Sequence, residues 1–315
     1  MDFSEDKKVV SLIMNKVAFQ LLANQRLPFY SRRVRIMHRY LRHKRWDQCS
    51  YCAAPIEVVI PCIESDAVML PFVVKSIRQF LTQPIERICI VGPENTQLLH
   101  FCKEFNCSFI HEDTVLPIKI SDVGYYSPKG SDRRGWLFQQ LLKLGADSFV
   151  KTNHYYVLDA DTVLASPQCL LRKNKVVLNV SDEFHQPYRI AYSRLLGEEP
   201  TSPISFVAHQ MLFEKAKLVK LKEKIEKYTG LIWYEAILDR IDRRENSSFS
   251  EYETYGNFLI KHYLEDVQLE YFFNISLDRV LLKNIVEFEH QYGKAYKSLS
   301  FHWHTNSGSS NVGGL

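Results

Sequence analysis

Two carboxylates one residue apart, Asp159 and Asp161, sit in the apolar run "YYVLDADTVLASP" from Tyr155 to Pro167. Three chemistries place Asp-x-Asp in such a setting. A calcium loop needs further oxygen ligands and a glycine at its sixth position. Val163 and Leu164 supply neither, which excludes it. Aspartyl phosphoryl transfer would use Asp159 as nucleophile and Asp161 as general acid. A metal–diphosphate clamp would hold a hard divalent cation between carboxylates and the phosphate oxygens of a substrate, neutralising charge on a leaving diphosphate. In the clamp Asp161 is the leading metal ligand, and Asp159 joins it or faces a ribose or a metal-bound water.

Other polar groups are candidates for the same site. In "KGSDRRGW" Asp132 reads as a helix N-cap, which puts Arg133 and Arg134 in the first turn. Cations there oppose the helix dipole at a cost of about some tenths of a kcal/mol. A donor diphosphate would relieve that cost, and an ordinary surface pair would do so equally. Lys143, further along the helix, is within reach of a nucleotide, although most helix lysines are simply solvated. His209 and Gln210 interrupt the apolar run "SFVAHQMLF". Buried polar groups need partners, and a sugar or acceptor hydroxyl would serve as well as backbone.

The elements that must position these groups alternate. "IEVVIPC", "RICIVG", "CSFIHED" and "YYVLDADTVL" read as four strands, separated by helices in "VMLPFVVKSIRQFL", "NTQLLHFCKEF" and "DRRGWLFQQLLKLG". Strands apolar throughout and separated by helices indicate a parallel sheet covered on both faces. Ligands bind beyond the carboxyl ends of such strands, where Asp159 and Asp161 lie. Further on come a strand "KVVLNV", a helix over 186–196, a strand over 205–213, helices over 214–228 and 231–242, a helix "EYETYGNFLIKHYL" and a last strand "YKSLSFHWH".

The succession "VVIPCIESDAVMLPFVVKSI", "ICIVGPE", "GWLFQQLLKL" and "YYVLDADTVL" resembles the GT-A glycosyltransferase fold. With "HQMLF", "SEYETYG" and "SFHWH", the chain is similar over about residues 55–305 to a bacterial family of GT-A-like proteins of unknown function. The fold class expected is therefore α/β, a GT-A-like mostly parallel sheet flanked by helices. The resemblance implies a metal-dependent glycosyltransferase that takes a nucleotide-diphosphate sugar, UDP-sugar favoured, to a glycan or lipid-linked acceptor, for instance in surface polysaccharide synthesis. It implies a histidine ligand late in the domain, His302 or His304, for Mn(II) or Mg(II) beside Asp159 and Asp161. It implies Glu64 and Asp66 near the nucleotide base and ribose. In an inverting enzyme of this kind Glu251 or Glu253 would be the general base, although Ser250 and Glu253 also spell a capping box.

Two other functions compete with this one. "DADTV" also resembles the first motif of haloacid dehalogenase-type phosphatases, with Asp159 as nucleophile. That family needs a later acidic metal pair, for which only Asp239 and Asp242 offer themselves. A catalytically silent GT-A-like scaffold that binds a partner is the alternative outside enzymology.

The 315 residues are ample for one large domain and an appendage, with 46% hydrophobic and 24% charged residues. That is a globular composition. The net charge of +4 is unevenly spread, since residues 26–45 hold eight arginines or lysines and no acid. Residues 1–50 are expected to form a basic helical appendage, 55–305 the main domain and 306–315 a flexible tail. The basic stretch is a solvated face or a patch for an anionic membrane surface. No nucleic-acid motif accompanies it. No apolar run reaches the length of a membrane span, so the expected location is cytoplasmic, peripheral on the inner membrane face if the patch binds lipid. The seven cysteines are scattered, which suits reduced thiols. Cys49 and Cys52 are half of a zinc knuckle that Cys102 and Cys107 do not complete.

Overall fold

The protein is seen in a computed structural model that describes residues 54–181, 183–293 and 295–302. The expected appendage over 1–50, its basic stretch 26–45, the Cys49/Cys52 pair, His304 and the tail lie outside the described residues.

The first half follows the predicted alternation. In order come β1 (Ile56–Pro61), α1 (Leu70–Phe80), β2 (Ile85–Gly92), α2 (Thr96–Glu104), β3 (Ser108–His111), α3 (Arg134–Gly145) and β4 (His154–Leu158). Every residue of β1 is buried, as a strand covered on both faces must be. The Asn95 side chain caps α2 by accepting from the Leu98 amide at 2.8 Å. The second half adds β5 (Thr162–Leu164), β6 (Leu171–Arg172), β7 (Lys175–Val180), α4 (Gln186–Leu196), β8 (Gln210–Glu214), α5 (Lys215–Thr229), α6 (Trp233–Arg240), α7 (Glu251–His262), β9 (Val267–Tyr271), β10 (Asn274–Asp278), α8 (Ile285–Tyr292) and β11 (Ser298–His302).

The central sheet runs β3-β2-β1-β4-β8, with β8 antiparallel to β4 and the other pairs parallel. It is the expected α/β arrangement, a parallel-rich sheet flanked by helices. Two smaller sheets, β10-β11-β5 and β6-β7-β9, were not foreseen as separate units.

Three local expectations are corrected. The run from Tyr155 to Leu164 is two strands in two different sheets, because residues 159–161 form a turn closed by the Thr162 amide on the Asp159 carbonyl at 3.0 Å. The run 205–213 becomes a strand only from Gln210, since His209 adopts a left-handed backbone with φ of 55°. Cys169 is disulfide-bonded, against the expectation of reduced thiols, whereas Cys62, Cys89, Cys102 and Cys107 are free. No helix among the described residues is long and apolar enough to cross a membrane.

A charged knot ties α4, α5 and α7 together. Glu198, just past the end of α4, accepts from Tyr192 at 2.9 Å and Lys224 at 2.8 Å, and contacts His262 at 2.7 Å. Burial would raise the Glu198 pKa, but these hydrogen bonds hold it down at about 2. A carboxylate held below its ordinary value stabilises the fold above that value and loses the contribution as pH falls through the folded one. Stability is therefore expected to drop between about pH 4.5 and about pH 2. Glu198→Gln should shallow that slope in acid-unfolding curves, and an unchanged slope would contradict the assignment.

Candidate active site

The site forms where the central sheet meets β5 and β11. Antiparallel pairing of β4 with β8 sets Leu158 opposite Gln210, so the next residues outward are Asp159 and His209. The Asp159 amide donates to the His209 carbonyl at 3.0 Å. The left-handed backbone at His209 accompanies its ring's approach to the carboxylate, with Nδ1 3.4 Å from Asp159 Oδ2. Strained backbone of this kind persists only where its surroundings hold it, commonly at functional sites.

Asp161 is positioned by the other sheet. Antiparallel pairing sets Thr162 opposite Ser300, and their buried hydroxyls meet at 2.9 Å. The Phe301 amide then donates to the Asp161 carbonyl at 2.9 Å, and His302 Nδ1 lies 3.0 Å from Asp161 Oδ2. Parallel pairing of β10 with β11 sets Asp278 beside His302, so Arg279 follows at the rim. Arg279 donates to the Phe301 carbonyl at 3.0 Å and to Asp66 Oδ1 at 2.6 Å, linking the end of β11 to the turn after β1.

Helices α3 and α7 complete the wall. Lys143 Nζ lies 2.6 Å from Asp159 Oδ1 and 2.7 Å from Glu251 Oε1, with its side chain only 4% exposed. The Tyr252 hydroxyl donates to Asp159 Oδ1 at 2.9 Å, and the Lys143 ammonium sits over the Tyr252 ring. Glu251 occupies the first turn of α7, where an acid suits the helix dipole. Turning the Gln140 amide lets it donate to Glu251 Oε2 at 2.7 Å and to the Phe249 carbonyl at 2.8 Å.

The protonation pattern follows from the geometry. Burial alone would raise Asp159, but the Lys143 charge and the His209 hydrogen bond hold it well below the usual carboxylate range. Burial would lower Lys143, but Asp159 and Glu251 raise it. Burial pushes Glu251 up, Lys143 offsets part of that, and the neighbouring Asp159 charge adds to the rise. His209 is raised too, the bond to Asp159 and its charge overcoming burial. The ammonium and Asp159 thus form a fixed ion pair.

These groups line a cavity of about 270 Å³ that contains Asp66, Trp136, Lys143, Asp159, Asp161, Glu183, His209, Glu251, Tyr252 and His302 in its wall. Asp161 and His302 bring one carboxylate and one imidazole to it, a pair suited to Mn(II) more than to Mg(II). Among the described residues no group of three or more His, Cys, Asp or Glu converges on one point. A two-residue set fits a cation whose other positions are filled by phosphate oxygens and water.

Residues 56–288 match the family of unknown function DUF6492. The chain belongs to that family. No curated protein matches it. Among solved structures, this DUF6492 chain is similar to mouse xyloside xylosyltransferase 1 in its apo form, at 12% identity and a TM-score of 0.41, covering 81% of this chain and 100% of that one. The galactosyltransferase LgtC, solved with donor and acceptor sugar analogues, is 12% identical with a TM-score of 0.42, covering 80% and 90%. Glucosyl-3-phosphoglycerate synthase from Mycobacterium tuberculosis, solved with Mn2+, UDP and glucosyl-3-phosphoglycerate, is 11% identical with a TM-score of 0.39, covering 72% and 76%. At such identities and TM-scores the likeness carries no argument about this chain, and the bound molecules belong to those proteins alone.

Of the residues singled out in this DUF6492 sequence, Asp66, Lys143, Asp159, Asp161, His209, Glu251 and His302 meet at one cavity. His304 lies outside the described residues, and the remaining ones do not line the cavity. Glu253 is buried, and its carboxylate accepts from the Phe206 amide at 2.8 Å and Ser205 at 3.2 Å. Ser250 does accept from the Glu253 amide, but the Glu253 side chain does not return the bond, so the expected capping box is half formed. Arg134 is spent on Asp132, and Arg133 donates to the Asn246 carbonyl and Ser247 while stacking on Trp136. The helix cap is Arg133, not Asp132. Gln210 is buried and accepts from the Tyr156 hydroxyl, and Glu64 is exposed outside the wall. Asp239 and Asp242, the pair a phosphatase would need, are bound by Arg240 and Arg244 away from this cavity.

Sequence reasoning missed Tyr252, Glu183 and Arg279. Tyr252 stands within "SEYETYG", where its spacing from Lys143 gives no sign of a contact across the chain. Glu183 follows Asp182 and Arg279 follows Asp278 at the start of a 3-10 helix, and neither pair spells a recognisable pattern.

Proposed function

We propose that this protein is a metal-dependent glycosyltransferase acting on a nucleotide-diphosphate sugar. The observation that carries the reading is the convergence of Asp161 and His302 with the Lys143–Asp159 ion pair in one cavity beyond the carboxyl ends of β1 and β4. Asp161 and His302 would hold a divalent cation, Mn(II) by donor type, which when bound supplies Lewis-acid stabilisation of a leaving diphosphate. Asp159 is held ionised and oriented by Lys143, Tyr252 and His209, so its role is to fix the nucleotide side of the site. Glu251 shares Lys143 and keeps that ammonium in place. Arg279 ties the turn after β1 to β11 and so fixes the rim on which Asp66 stands. The whole array is preorganised, as a site that stabilises developing charge requires.

Titration calorimetry with UDP-, GDP- and CMP-sugars, with and without Mn(II), tests the reading. Binding of one donor class that needs the metal is the expected result. No donor binding under either condition would leave a silent scaffold. Phosphate release from simple phosphate esters would favour the phosphatase instead.

A further inference from the structure

A second cavity of about 230 Å³ adjoins the first, and Glu183, Val207 and His209 line both. The rest of its wall differs in kind, with Tyr271, Phe273 and Tyr296 supplying aromatic surface and Asn274 and Ser276 polar edges. Its lining includes no lysine or arginine among the described residues. We propose that this cavity is the acceptor subsite and takes the ring of an uncharged sugar. This deepens the glycosyltransferase reading by naming the chemical class of its acceptor.

The argument rests on what such a wall recognises. A sugar ring has weakly polar C–H faces bounded by hydroxyls. Aromatic side chains offer large rigid surface to the faces, and a few fixed polar groups orient the edges. Phe273 and Tyr296 are half-buried, and both line the cavity. Asn274 Oδ1 is fixed by the Ser298 and Ser300 hydroxyls, at 2.5 and 3.1 Å, which anchors the amide. Its nitrogen has no protein partner among the described residues and supplies two donors for ring hydroxyls. A phosphate or carboxylate ligand would call for arginine or lysine, and among the described residues this wall has neither.

The shared wall explains how the two cavities cooperate. Glu183 has a side chain 57% exposed, and its Oε2 lies 4.0 Å from Nε2 of His209, whose other nitrogen faces Asp159. A hydroxyl of a ring bound in the second cavity would meet the first at this point, where Glu183 accepts its hydrogen bond.

Saturation-transfer NMR of the full chain with methyl glycosides of glucose and galactose tests the proposal. At least one is expected to receive saturation on its ring protons. Tyr296→Ala should weaken that binding by about threefold to tenfold, the worth of one aromatic contact. Asn274→Asp keeps an oxygen for Ser298 and Ser300 and exchanges the amide donors for a charged acceptor, so it should also weaken binding and carries the test if the tyrosine variant does not fold. Transfer to none of the probes, or transfer unchanged in folded variants, would overturn the subsite. Donor calorimetry on the same variants should be unchanged. If methyl glycosides bind as expected while no donor binds, the sugar site stands and the transferase reading falls.

Discussion

Asp161→Ala is expected to lower Mn(II)-dependent donor binding by at least about 100-fold, the upper end of what loss of a metal-site supporting partner costs. The carboxylate is one of only two side chains proposed to hold the cation, so no third protein ligand compensates. The fold should tolerate the change. Asp161 is partly exposed, its side-chain contacts are His302 and the Thr162 hydroxyl, and exposed pairs of this kind contribute about 0–1 kcal/mol. Calorimetry with and without Mn(II), beside a denaturant curve, separates binding from stability. His302→Ala should act in the same direction. A variant that keeps most of the wild-type response to Mn(II) would remove Asp161 from the metal site.

Lys143→Met is the change expected to cost most stability, about 3–5 kcal/mol. The methionine fills a similar volume, so the loss is electrostatic. Two carboxylates, one of them 2% exposed, would remain beside each other without their shared cation. Adding Glu251→Gln to the variant should recover part of the loss, because the more deeply buried charge is then gone. The pH dependence has a definite sign. An unpaired buried carboxyl has its folded pKa raised, so its penalty is absent when it is protonated and grows as pH rises. The deficit of Lys143→Met against wild type should therefore narrow from about pH 7 toward about pH 5. Urea unfolding at both pH values measures it, and a loss below about 1 kcal/mol would show that Lys143 is not the shared partner of both acids.

The central sheet was legible because its strands are short apolar runs bounded by polar turns. The strand that leads into Asp159 followed from that pattern, although the point where it ends did not. The turn at 159–161 was not legible, since the apolar residues on both sides read as one strand and no glycine or proline marks the break. The same blindness hid β9, β10 and α8, whose five to eight residues are partly polar and take their form from neighbouring strands. Lys143 was named as a residue near the nucleotide, yet its contact with Glu251 spans 108 positions. Only the packing of α3 against α7 creates it. Glu253 shows the reverse case, because a local capping pattern was present and tertiary contacts with Ser205 and Phe206 took the side chain elsewhere.

The turn at residues 159–161 has a mechanical consequence. Asp159 is positioned by the central sheet, whereas Asp161 and His302 are positioned by β5 and β11. A ligand that engages both carboxylates spans a seam between two bodies of structure, and part of its binding energy goes into holding that seam in register. Affinity is then linked to contacts that never touch the ligand, such as the hydroxyl pair of Thr162 and Ser300 behind it. Substitutions at this junction, behind the cavity, are therefore expected to alter how tightly the site grips.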